Sequence, residues 1–314
     1  MNRETLNSPG VFTPSLVWGA NLTLTNIHDL CDKARSNASL PYAAVFAEHI
    51  KKVANNGVRN LASWAGNLML KHKHPEFLSD LYVMLDLVGA RLLIGDDTGN
   101  RSQCTLKEFL SLDMQGKIIE AAFLPTYTDT NNYIRLYRVS QRNQDDHGHV
   151  AAGFNMKLDR TNNCTVLQRP TIVFQGVSNT MNRAENTEAF LEGKQLGDPQ
   201  VLKDCLNMLS MEISPVTDPT LQYRRSVAMS LFYKYVLDVC GDKVAQRYRS
   251  GGAIFERPVS SGTQSYDTRK EQWPLSQPMT SMDADYLGCN CAGFCKVRYL
   301  DDLPWDPDEL HAAL

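Results

Sequence analysis

Between residues 133 and 174 the chain adopts the two-residue period of β-strands. Tyr133–Ser140, His149–Leu158 and Thr165–Phe174 read as strands separated by polar turns, the pattern of an antiparallel meander. Helical stretches follow the strands rather than alternating with them. Asp198-Pro199 is a cap-plus-proline start with Leu202, Leu206 and Leu209 behind it, and Arg225–Val239 sets Leu231, Phe232, Tyr235, Val236 and Val239 on one face. Strands followed by helices, with no βαβ repeat, predict an α+β fold.

The first 128 residues read differently. Residues 1–14 are irregular, with Pro9, Gly10 and Pro14 as breakers, and SLVWG (15–19) suits a short strand. Leu22–Lys33 predicts a helix capped by Thr25. A second opens at Pro41, carries Phe46, Ile50 and Val53, and stops at Asn55-Asn56-Gly57. VRNLASWAGNLML (58–70) is too rich in small residues to read as a clean helix or strand. A helix over Ser79–Val88, a strand over Ala90–Gly95, a turn at 96–99, a short strand at Cys104, a helix at Leu106–Leu112 and a strand at Lys117–Leu124 complete this half. Residues 247–280 are polar and read as a linker, and 281–314 have little core of their own.

Composition narrows the partners. The 314 residues carry a net charge of −3 with no long basic run, so neither a nucleic acid nor an anionic membrane surface is expected. No stretch approaches the roughly 18 apolar residues that a bilayer span requires; the most apolar one, Leu81–Ile94, is broken by Asp86 and Arg91. The opening MNRETLNSPG has no apolar leader, and five of the eight cysteines are widely scattered, which predicts a reduced, cytoplasmic chain. In that setting the Asn-x-Ser/Thr sequons at Asn21, Asn37 and Asn163 carry no meaning.

The chemistry-bearing segment is VRNLASWAGNLMLKHKHPEFLSDL (58–81). Ala62, Ser63, Ala65 and Gly66 are small enough for a ligand to lie against the main chain. Backbone N–H groups there, with the Ser63 and Asn67 side chains, suit phosphate oxygens. Asp80, opening a helix, suits ribose or ribityl hydroxyls. The same residues also fit a plain capped turn with Asp80 as a helix N-terminal charge.

VRNLASWAGNL resembles the second FAD-contacting loop of the aldehyde oxidase/xanthine dehydrogenase family of molybdo-flavoenzymes, which reads roughly V-x-S/N-x-A-S-x-G-G-N; the F-x-S-D-L pattern that follows is also the family's. The resemblance assigns Ser63, Gly66 and Asn67 to the FAD diphosphate and Asp80 to a polar contact with the cofactor. Ala65 stands where the family has the first glycine, which is tolerable if its φ is negative. KIIEAAFLP (117–125) is similar to the family strand ending in I-P, which would set Ile119 against the flavin. YRVSQRNQDDHGHVAAGF (137–154) resembles K/R-x-x-x-R-x-x-D-D-x-A-x-V, which would bring Arg138 near the isoalloxazine, where a cation stabilises reduced flavin. An exposed strand arginine is the other reading of Arg138. The longer link between Asn67 and Asp80 looks more like the aldehyde oxidase branch.

The resemblance runs over about residues 16–308 and implies the second half of a PCMH-type FAD-binding domain at 1–128, a flavoprotein C-terminal α+β domain at 129–248, a linker at 249–280 and the opening of a molybdenum domain at 281–314. Within the last, Cys289, Cys291 and Cys295 replace the family's G-E-A-x-Y. Three close cysteines with no fourth ligand are a weak metal signal, and none is assigned. The family's early V-x-G-N-T loop, its 2Fe-2S domains and the body of its molybdopterin domain have no counterpart here. Each phosphate donor lost with that loop removes about 1–3 kcal/mol, so a partial FAD site that binds weakly or not at all is expected. The implied role is electron transfer from iron–sulfur clusters through FAD to oxygen or NAD, within an enzyme that is dimeric in the family. The rival readings are a non-catalytic interaction protein that packs on an intact relative, and a gene-model remnant without activity.

Overall fold

The computed structural model describes residues 15–128, 131–178, 183–213, 219–254 and 271. The first unit joins six helices to a four-stranded antiparallel sheet. In chain order it runs β1 (Ser15–Gly19), α1 (Leu24–Lys33), α2 (Ala43–Ile50), α3 (Asn56–Leu61), α4 (Trp64–Lys73), α5 (Asp80–Leu87), β2 (Arg91–Asp96), β3 (Arg101–Thr105), α6 (Leu106–Ser111) and β4 (Lys117–Pro125). The sheet order is β1-β4-β2-β3, so the last strand enters between the first two, with Trp18 opposite Ala122 and Leu92 opposite Ala122 from the other side.

Caps set most of the helix starts. Thr23, not Thr25, caps α1 in a reciprocal box with Asn26, while Thr25 Oγ1 donates to Asn60 Oδ1 at 2.7 Å. α2 stops at Ile50, short of Asn55, which instead accepts from Val58 N and starts α3. The stretch 58–70 is helical on both sides of a break at Ala62–Ser63: two short helices meet there, and neither is long enough to show a full apolar stripe.

The second unit contains β5 (Asn132–Val139), β6 (Val150–Asp159), β7 (Thr165–Val166), β8 (Thr171–Gln175), α7 (Glu185–Leu191), α8 (Pro199–Glu212), α9 (Pro219–Val239) and α10 (Gln246–Arg249). β6 is the centre of the antiparallel meander, pairing β5 on one edge and β8 on the other, with β7 at its end. The strand expected over 165–174 is split around Pro170, which has no N–H to give a ladder. Residues 250–252 continue α10 as a 3₁₀ turn, and Lys234 Nζ ties this segment to α9 through Gly251 O (3.1 Å) and Ala253 O (2.5 Å). The start of the stretch read as linker is therefore folded onto the second unit. The rest, and residues 281–314, lie outside the described residues.

Side-chain alternation along β6 joins the two cores. Ala151 belongs to the first, with Phe46, Trp64, Leu81 and Phe109; Ala152, Phe154 and Met156 belong to the second. Phe154 is ringed there by Tyr137, Phe174, Phe232 and Tyr235 at centroid distances of 5.0–5.8 Å. On the other face Gly153 leaves room for α5: a Cβ there would stand 3.0 Å from Leu87 and 3.1 Å from Val83. All eight residues of α5 are buried, including Asp80 and Asp86.

Candidate functional site

Two helix N-termini meet beside the 62–67 segment. Leu24 N donates to Ala62 O and Trp64 N to Leu22 O, which sets the capped starts of α1 and α4 side by side. Ser63 caps α4, its Oγ accepting from Gly66 N at 3.1 Å. Ser79 caps α5 by accepting from Tyr82 N (3.0 Å), and its hydroxyl donates to Asn67 Oδ1 (2.6 Å). Asn67 thereby fastens the start of α4 to the start of α5, and the Asn67 amide N–H groups remain as donors. Gly66 is exposed, Ser63 and Asn67 are half-buried, and Ala65 is buried with the negative φ of a helix, so its replacement of glycine is unstrained. Adjacent helix N-termini with an exposed glycine form a surface that favours a diphosphate.

Asp80 and Arg138 lie elsewhere in the same region, and they meet each other. The Asp80 carboxylate accepts from His49 Nε2 at Oδ1 (2.9 Å) and from Arg138 Nε at Oδ2 (3.2 Å), with side chains 5%, 2% and 5% exposed respectively. Burial would raise the Asp80 pKa, but the His49 hydrogen bond and the charges of His49 and Arg138 outweigh it and hold the carboxyl below its ordinary value. Arg138 also donates to Ser140 Oγ (2.9 Å) and to the Asp146 carbonyl, and so anchors the loop after β5. That loop returns to the first unit through Asp145 N to Ala54 O and Asn55 Nδ2 to Asp145 Oδ1. Both Asp80 oxygens already serve protein donors and the side chain is enclosed, and Arg138 is not the exposed strand arginine that its sequence context also allowed.

Ile119 is 6% exposed on β4, opposite Ile94, and packs into the first core; its neighbour Ile118 is the exposed one. The structure thus brings Ser63, Ala65, Gly66 and Asn67 together, places Asp80 and Arg138 in an enclosed ion pair nearby, and puts Ile119 inside the protein. His49 and Ser79 were not singled out from the sequence. Ser79 had a signal, since it precedes the acidic start of a helix, whereas His49, 31 residues from its partner, had none. Among the described residues no group of three or more His, Cys, Asp or Glu is placed to hold a metal, and no helix is long and apolar enough to cross a membrane. Cys289, Cys291 and Cys295 lie outside the described residues.

Residues 11–127 match the model of the FAD binding domain in molybdopterin dehydrogenase, and residues 135–239 match the CO dehydrogenase flavoprotein C-terminal domain. The chain carries a FAD binding domain of the molybdopterin dehydrogenase type followed by a CO dehydrogenase-type flavoprotein C-terminal domain. A xanthine dehydrogenase of Emericella nidulans is 25% identical over 94% of this chain, and the nicotinate hydroxylase hnxS of the same organism is 27% identical over 96%. The chain spans 22% of the length of each. The reconstituted CO dehydrogenase from Oligotropha carboxidovorans shares the fold, with a TM-score of 0.57 and 18% identity over 71% of this chain and 75% of that one. Most of the relatives are xanthine dehydrogenases, with an indole-3-acetaldehyde oxidase of Arabidopsis thaliana at 25% among them. The link between Asn67 and Asp80 therefore does not single out the aldehyde oxidase branch.

Proposed function

We propose that this chain is the FAD-holding, electron-relaying part of a molybdo-flavin oxidoreductase of the xanthine dehydrogenase type. The observation that supports this most is the junction of α4 and α5, where Asn67 and Ser79 lock two capped N-termini together beside the exposed Gly66. Ser63, the Ala65–Gly66 main chain and the Asn67 amide would hold the diphosphate. Gly66 offers no side chain to obstruct its approach, and Ala65 supplies main chain only. The Asp80–Arg138 pair acts from inside, fixing the start of α5 and the loop after β5 on which that surface rests. Bound FAD supplies a two-electron acceptor that can release electrons singly to a further acceptor. Molybdopterin and 2Fe-2S chemistry belong to other domains of such an enzyme, as do its substrate pocket and its dimer contacts.

The test is a titration of FAD by flavin fluorescence, comparing the wild-type chain with Asn67→Asp. The variant keeps the acceptor for Ser79 and turns the amide donors into a second carboxylate oxygen, which repels phosphate while suiting a helix N-terminus. Expected is saturable wild-type binding with a Kd on the order of micromolar, at least tenfold weaker in the variant. No binding by the wild type, or equal binding by both, removes the assignment.

One observation favours a second reading. Asp80 and Arg138, two of the seven candidate positions, spend their polar groups on protein partners. A non-catalytic module that packs on an intact relative accounts for this. It predicts co-purification with such an enzyme and no flavin absorbance.

A further inference from the structure

α8 and α9 hold between them a pocket of about 610 Å³. It belongs to the second unit, whereas the α4–α5 junction belongs to the first. Arg225, Met229 and Tyr233 stand at steps of four residues along α9, and Leu206 and Ser210 stand four apart on α8, so each helix turns one stripe of side chains into the space. Ser226 lines it beside Arg225. The short serines at 210 and 226 leave room that longer side chains would fill. Leu206 and Met229 lie at the margin of the second core and give the pocket an apolar wall.

Arg225 is the charge in this pocket, and no Asp or Glu lines it among the described residues. Its Nη2 donates to both the carbonyl and the hydroxyl oxygen of Ser210. That contact fixes the guanidinium across the last turn of α8 and satisfies a carbonyl the helix leaves open. A structural clamp accounts for this much and no more. Arg225 Nε is buried and has no hydrogen-bond partner among the described residues. Nor does a carboxylate pair with this guanidinium among them, whereas Arg135, Arg138, Arg169 and Arg183 of the same unit each have one. Nε sits below the pocket surface, but the charge is delocalised over the whole guanidinium, so an anion at the pocket wall compensates it.

We propose that the α8–α9 pocket binds a small monocarboxylate with an apolar, ring-sized body. The carboxylate faces the Arg225 guanidinium and the Ser226 hydroxyl, and the body lies on Leu206 and Met229 towards the Tyr233 ring. One uncompensated cation matches one negative charge, and hydrogen bonds from a guanidinium to a carboxylate are among the strong ones. A phosphate dianion would leave half of its charge and the whole apolar wall unmatched. The volume falls within the roughly 300–1,000 Å³ of small-molecule sites, with room for an organic body as well as its charged group. The recognition is that of an apolar cleft with one placed charge, unlike the main-chain N–H surface at the α4–α5 junction.

The experiment titrates the full chain, carrying methyl-labelled methionine, with sodium benzoate, benzyl alcohol and inorganic phosphate, and follows the Met229 methyl resonance by NMR. Met229→Leu assigns that resonance. Expected is a saturable benzoate shift with a Kd on the order of 1 mM, the range open to a ligand of roughly nine heavy atoms. Benzyl alcohol, which keeps the ring without the charge, and phosphate, which keeps charge without the ring, should each bind at least about tenfold more weakly. Ser226→Glu places a carboxylate at an exposed helical position beside Arg225, supplies the countercharge from the chain itself, and should weaken benzoate by at least about tenfold. No movement of the Met229 resonance up to about 20 mM benzoate overturns the proposal. Equal binding of benzyl alcohol or phosphate, or equal binding of benzoate by Ser226→Glu, also overturns it. The comparison of the three probes uses the unaltered pocket, so a poorly folded variant cannot mask the result.

Discussion

Asp80→Asn is the perturbation on which the structure speaks most definitely. The wild-type carboxylate closes two contacts, 2.9 Å to His49 and 3.2 Å to Arg138, among side chains no more than 5% exposed. Solvent screening is therefore small. The amide keeps one acceptor oxygen but leaves the Arg138 guanidinium buried without a countercharge. Breaking a buried pair from one side costs about 3–5 kcal/mol, and two charge-assisted hydrogen bonds at roughly 1.5–3 kcal/mol each reach the same range. At about 2–4 °C per kcal/mol for a chain of this size, Tm should fall by about 10 °C. Because folding lowers the Asp80 pKa, its contribution is complete above the unfolded value near 3.9 and is lost as pH falls through the folded one. Thermal unfolding followed by circular dichroism should thus show a constant gap between wild type and variant from about pH 5 to 8 that shrinks below about pH 4. A gap under about 1 kcal/mol at pH 7, or one that persists undiminished at low pH, would refute the reasoning. Adding Arg138→Met to Asp80→Asn should recover part of the loss, because the stranded cation is then gone.

Asp86 predicts the opposite slope. Burial lifts its pKa to about 6, Oδ2 has no hydrogen-bond partner among the described residues, and stability falls as pH rises from about 4 to 6. Asp86→Asn should raise stability at pH 7 by on the order of 1–3 kcal/mol and leave it unchanged near pH 4, as urea titrations at the two pH values would show. Gly176→Ala should cost about 3 kcal/mol or more in the same assay, since φ is +82° and the new Cβ would stand 2.3 Å from His149 O, where Arg224 clamps both carbonyls. Ser63→Ala removes the α4 cap and should cost about 1 kcal/mol while also weakening FAD binding in the fluorescence titration.

Local patterns carried most of the fold. The α8 start was readable because Asp198 and Pro199 do in the structure what their chemistry suggests, with Asp198 accepting from Gln200 N at 2.8 Å. The meander was readable from its polar turns, and Pro170 in the sequence already marked where its third member divides. The junction at Ala62–Ser63 was obscured because α3 has six residues and the small Ala65 and Gly66 sit in the first turn of α4, so no apolar stripe emerges from either. For the candidate site, residue types were legible and partners were not. His49 and Arg138 reach Asp80 from 31 residues before and 58 after, and no period or spacing connects them.

One available signal foretold the enclosure of Asp80. DLYVMLDL is apolar on every side, and a helix of that kind is buried all round; any carboxylate within it must find a protein partner or shift its pKa upward. Asp80 takes the first course and Asp86 the second. The seven candidate positions consequently separate by depth: Asn67 can be altered at the surface with the fold intact, whereas Asp80 cannot. If Asn67→Asp abolishes flavin binding without moving Tm, and Asp80→Asn lowers Tm and flavin binding together, the buried pair serves the cofactor by supporting the α4–α5 junction. If Asp80→Asn lowers Tm while Asn67→Asp changes nothing measurable, the junction is a structural knot and the interaction-module reading gains the ground that the flavin reading loses.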